Sequence, residues 1–129
     1  MFLDHVSIKV LDLEGMKDFY LKYFCRAIRH EFINPYGLCY GYILDFIGRG
    51  SIELLLNREL RVPESPDGNY HFCLTVADLR GLLSKVPDEF VFTPFKFGKT
   101  DGVPQVMFMD PEKNLIEIHE TIFQSRRLK

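Results

Sequence analysis

A chain of 129 residues, 47% apolar and with a formal charge of -2, has the length and composition of one globular domain, or of two half-domains sharing a sheet, with a core of its own. The slight acidity argues against a nucleic-acid partner, which meets a basic surface, and no apolar run approaches the length of a membrane span. The opening stretch MFLDHVSIKV carries an acid and a histidine where a signal peptide needs unbroken apolar residues, so a soluble, cytoplasmic chain is expected. Cys25, Cys39 and Cys73 are odd in number and lack CxxC spacing; they read as reduced thiols rather than disulfides or zinc ligands.

In chain order, residues 4–10 alternate, with Val6, Ile8 and Val10 on one face and His5 on the other. Asp12 is an N-cap for a helix over 13–24, whose stripe is Leu13, Met16, Phe19, Tyr20, Tyr23 and Phe24. An amphipathic strand over 26–34 follows, then the turn residues Asn34, Pro35 and Gly37, a strand over 38–47, and a glycine turn at 48–50. A strand over 51–57 closes the first half, with Ile52, Leu54 and Leu56 opposing Glu53.

Residues 58–69, with Pro63, Pro66 and the Asp67-Gly68 pair, read as a linker. The pattern then begins again. His71 opens a strand whose apolar row is Phe72, Leu74 and Val76, Asp78 caps a helix through 79–86, and strands over 90–97 and 104–110 follow. The Asp110-Pro111 turn leads into 114–120, where Glu117 opposes Ile116 and Ile118; residues 121–129, ending in QSRRLK, form a solvated tail.

The recurrence can be counted. His71 stands 66 positions after His5, and that offset also matches Val10 with Val76, Asp12 with Asp78, Leu13 with Leu79 and Gly15 with Gly81; Glu117 stands 64 after Glu53. Self-similarity of this kind predicts an α+β fold of two tandem βαβββ modules, residues 1–57 and 70–120, forming a curved mixed sheet.

Four polar residues recur with the modules: His5 and Glu53, then His71 and Glu117. Two imidazoles and two carboxylates on the less apolar face compose a ligand set for a divalent transition metal. Taken singly, each is an ordinary member of a half-exposed strand. The repetition of His and then Glu favours the metal reading. His119 shares Glu117's face and reads as a half-exposed strand histidine or a pocket-lining group, and Cys73 shares the face of His71. His30 reads as structural or surface, and residues 98–102 as a hairpin loop rather than a phosphate cradle, with Lys96 and Lys99 able to approach an anionic substrate.

From DHVSIKVLDL through HFCLTVADL to DPEKNLIEIHE, the chain resembles the vicinal oxygen chelate superfamily, which includes glyoxalase I, extradiol dioxygenases, epimerases and drug-resistance proteins. Its ending resembles the family's DPxGNxIEL pattern, with Lys113 where glycine is usual. The order His, Glu, His, Glu is similar to that of glyoxalase I. Carried over, the resemblance implies that His5, Glu53, His71 and Glu117 ligate nickel, zinc, cobalt, manganese or iron, and that Glu117 and Glu53 are the candidate catalytic bases. It implies proton transfer through a metal-stabilised enediolate on the hemithioacetal of a 2-oxoaldehyde and a thiol, in a homodimer with sites at the interface. Lys9 and Asn57 stand where the glyoxalases bind glutathione; lysine keeps the charge of the family's arginine without its planar fork, and Lys9 also reads as a solvated strand-end charge. A non-catalytic drug- or small-molecule-binding protein, or an epimerase or dioxygenase of the same superfamily, remains the alternative.

Overall fold

The computed structural model describes residues 1–66 and 70–121. The chain divides into two compact units, Met1–Val62 and Pro63–Lys129. In the first unit β1 (His5–Val10) leads into α1 (Leu13–Tyr23), β2 (Cys25–Ile33), β3 (Cys39–Phe46) and β4 (Ser51–Leu56). In the second, β5 (His71–Val76) leads into α2 (Leu79–Lys85), a single 3-10 turn (Asp88–Phe90), β6 (Val91–Phe97), β7 (Pro104–Met109) and β8 (Leu115–Glu120).

Each unit is a βαβββ module with its own four-stranded mixed sheet, ordered β1-β4-β3-β2 in the first and β5-β8-β7-β6 in the second. These are the two tandem βαβββ modules and mixed sheets expected from the sequence. In both, the first strand lies parallel to the last and the remaining pairs are antiparallel. The glutamate-bearing strands β4 and β8 are therefore interior strands, pinned by ladders on both sides.

Both helices begin in the same way. The Asp12 carboxylate accepts the Gly15 N–H at 3.0 Å, and Asp78 accepts that of Gly81 at 2.9 Å. Such a cap stabilises a helix by about 1 kcal/mol. The recurring glycine has a steric reason, since a Cβ at Gly15 would sit 2.2 Å from Asp12 Oδ2 and one at Gly81 2.4 Å from Asp78 Oδ2. The α1 stripe buries Leu13, Met16, Phe19 and Tyr20, with Phe24 at its end packing ring to ring against Phe19 and Tyr20.

The apolar rows read from alternation are the less exposed ones, half-buried in β1 and β5 except for Val10 and fully buried at the centre of β4 and β8. Ile52, Leu54, Ile116 and Ile118 are all inaccessible to solvent, each contributing roughly 1.5–3 kcal/mol relative to exposure. The opposite face of each sheet carries the polar residues. The 98–102 loop closes as a hairpin, with Gly98 N–H donating to Val103 O and Gly102 N–H to Gly98 O. Residues 58–66 of the predicted linker hold no helix or strand; the Asp67-Gly68 pair and the QSRRLK tail lie outside the described residues. Among the described residues no helix is long and apolar enough to cross a membrane.

Candidate metal-binding faces

In the first module the β1/β4 ladder sets Ser7 directly opposite Glu53, with His5 two residues upstream on the same face. Ser7 Oγ donates to Glu53 Oε1 at 2.9 Å. His5 Nδ1 lies 2.9 Å from Asp4 Oδ2, and the Asp4 carboxylate is also gripped by both terminal nitrogens of Arg29, at 3.1 and 3.3 Å. The Arg29 guanidinium first, and His5 second, pull the Asp4 carboxyl down to about 2. A carboxylate beside Nδ1 is the kind of partner that orients a ligating histidine, whose Nε2 is the other ring nitrogen.

Lys9 is exposed on the face of His5, opposite Leu55. Asn57 lies one residue beyond the end of β4, its N–H donating to Val10 O at 2.8 Å and its Oδ1 accepting the Glu59 N–H at 3.0 Å. His30 is exposed, its ring edge-on to Phe32 at 4.7 Å. Asp45 accepts Ser51 Oγ at 2.7 Å within the first sheet.

In the second module the β5/β8 ladder puts Cys73 opposite Glu117, again with the histidine, His71, two residues upstream. His71 Nε2 is 3.9 Å from Glu117 Oε2. His119, two residues beyond Glu117, brings its Nε2 to 3.1 Å from the same oxygen. That nitrogen is buried and has no hydrogen-bond partner, so the approach is close but not aligned as a hydrogen bond. Ligand atoms of Cys73, Glu117 and His119 all fall within 4.8 Å of one another. Although Cys73 is exposed as a residue, crowding around its sulfur and then the Glu117 charge push its thiol up to about 12.

Beside this group Thr93, Lys96, Gln105, Met107 and Glu117 line a shallow depression of about 30 Å³. Cross-strand pairing explains the set: Thr93, Met107, Glu117 and Cys73 form one row across the sheet, and Lys96, Gln105, His119 and Thr75 the next. Lys96 thus supplies a cationic side chain at the depression's edge, while Lys99 is exposed in the hairpin turn.

The sequence placed Cys73 and His119 on the right face and left their relation to Glu117 open. Alternation assigns a face; only the ladder register tells which residue meets which.

No protein-family model and no curated protein matches the sequence, whereas solved structures match across nearly its whole length. A glyoxalase family protein from Enterococcus faecalis is similar at 20% identity and a TM-score of 0.69, covering 92% of this chain and 97% of its own. TioX from Micromonospora sp. ML1 is similar at 18% identity and a TM-score of 0.68, covering 93% and 98%. A glyoxalase/bleomycin resistance protein/dioxygenase from Alicyclobacillus acidocaldarius is similar at 21% identity and a TM-score of 0.67, covering 92% and 90%. The likeness is one of fold. This chain has a glyoxalase-like α+β fold of two βαβββ modules.

Proposed function

We propose that this protein is a metal-dependent lyase of the glyoxalase I type, acting on the hemithioacetal of a 2-oxoaldehyde and a thiol. In this reading His5, Glu53, His71 and Glu117 are the ligands of a divalent nickel, zinc, cobalt, manganese or iron ion, and the active form is a homodimer. The observation that carries it is the repeated register. In each module a glutamate on the interior strand stands opposite a small polar residue, Ser7 or Cys73, with a histidine two residues upstream of it.

The donor set suits such an ion. The 3.9 Å between His71 Nε2 and Glu117 Oε2 lies within the roughly 3.0 to 4.2 Å that separates two ligand atoms about a centre with bonds of about 2.1 Å. A bound divalent ion supplies Lewis acidity toward neighbouring substrate oxygens, lowering the cost of removing the proton beside a carbonyl.

The rest falls to the side chains. Glu117 or Glu53 takes the proton from the carbon bearing the thioether and hydroxyl and returns it to the former ketone carbon, an isomerisation needing no oxidant or reductant. Ser7 holds Glu53 Oε1, leaving Oε2 for the proton. Asp4 orients His5. Lys9 offers a positive charge to a carboxylate of the thiol, and Asn57, its Oδ1 engaged by Glu59, takes part as a donor.

The test is turnover by the nickel- or zinc-loaded protein with methylglyoxal and a panel of thiols that includes glutathione. Isomerisation of at least one adduct is expected, falling at least 100-fold in Glu117→Gln and in His5→Ala. A protein that takes up the ion and converts none of them refutes the activity. One that stays metal-free under excess nickel or zinc refutes the metal chemistry and leaves a small-molecule binder.

A further inference from the structure

We infer that the second module carries, within itself, a site for a thiophilic divalent cation of the zinc class, formed by Cys73 Sγ, Glu117 and His119 Nε2. It shares Glu117 with the ligand set proposed above and is otherwise distinct from it. Three unlike donors lie within 4.8 Å of one another on two adjacent paired strands. Two of them, Glu117 Oε2 and His119 Nε2, stand 3.1 Å apart without forming a hydrogen bond. That is close to the roughly 3.0 Å expected between neighbouring ligand atoms on bonds of about 2.1 Å, and it explains why a buried imidazole nitrogen aims at a carboxylate it does not bond.

The positions are set by the backbone. Cys73 is the ladder partner of Glu117, and β8, bearing both Glu117 and His119, is held by β5 on one side and β7 on the other. Donors on paired strands keep their spacing before the ion arrives.

The chemistry of the set selects the ion. A thiolate beside imidazole and carboxylate favours zinc and its relatives over magnesium, calcium or manganese, and three protein ligands leave room for a fourth from solvent or substrate. On binding, the Cys73 thiol gives its proton to solvent and its sulfur to the cation, one proton released per ion with no change of oxidation state.

The first module shows that the fold does not require such a group. At the matching ladder positions Ser7 stands in place of Cys73, opposite Glu53, and Leu55 in place of His119, two residues beyond Glu53. The trio is therefore a feature of this chain's second half and not of the βαβββ unit.

Cobalt(II) titration of the full chain tests this, read by the near-ultraviolet charge-transfer band that only a thiolate ligand produces. The band is expected to saturate at one equivalent and to be erased by competing zinc. Cys73→Ser should abolish it while Cys25 and Cys39 remain, and His119→Gln should weaken cobalt binding at least tenfold. His5→Ala and Glu53→Gln, in the other module, should leave it intact. A wild-type titration with no band, a band that survives Cys73→Ser, or one lost in His5→Ala overturns the inference. The readout is independent of turnover, so loss of the glyoxalase-type activity and loss of this site are told apart.

Discussion

Asp110 and Asn114 clasp each other at the entrance to β8. The Asp110 side chain, 1% exposed, accepts Asn114 N–H at 3.0 Å and Asn114 Nδ2 at 2.9 and 3.1 Å, and the Glu112 N–H at 2.9 Å as well. Between them Lys113 is held at φ 69°, the left-handed conformation that favours glycine. Removing the carboxylate leaves buried donors unsatisfied, at roughly 1–3 kcal/mol. Asp110→Ala is accordingly expected to lower stability by about 2 kcal/mol or more in urea denaturation, with m unchanged.

Gly41 leaves no space for a methyl group. A Cβ there would lie 2.8 Å from Leu54 O, 2.9 Å from Leu55 Cδ2 and 3.0 Å from Phe32 Cδ2. The carbonyl belongs to the interior strand bearing Glu53 and cannot move without disturbing its ladder. Gly41→Ala is expected to cost about 1–3 kcal/mol, as overpacking does, read as a lower denaturation midpoint.

Glu14 gives the first module an acid-sensitive contact. Lys17 Nζ lies 2.7 Å from Oε2 and Tyr42 Oη donates to Oε1 at 2.5 Å, and these partners, Lys17 first, hold the Glu14 carboxyl below its usual value of 4.5. A folded-state value below the unfolded one means stability fully present above pH 4.5 and lost as pH falls through the folded value. Glu14→Gln should therefore reduce the difference in stability between pH 6 and pH 3 relative to wild type, with the loss appearing at the higher pH. Equal slopes in the two proteins would count against this.

Much of the fold was legible because its signals are local. The caps at Asp12 and Asp78, the α1 stripe and the alternation in β1, β4, β5 and β8 each depend on residues within a few positions of one another. At 113, where the resembled family pattern has glycine, Lys113 itself takes the positive φ in the turn held by Asp110. What escaped involves partners distant in sequence. Cys73 meets Glu117 across 44 positions of chain, and the step of a parallel ladder that pairs those two, rather than His71 with Glu117, leaves no mark in either strand.

The donor faces and the buried faces alternate residue by residue along the same strands, so the two sets of positions are free to change separately. Replacing Ser by Cys, or Leu by His, on the polar side asks nothing of Ile52, Leu54, Ile116 or Ile118 on the other. Such a scaffold can exchange its chemistry by single steps while its interior stays constant. Two halves of one polypeptide thereby present different side chains on a common frame, Ser7 and Leu55 in one and Cys73 and His119 in the other.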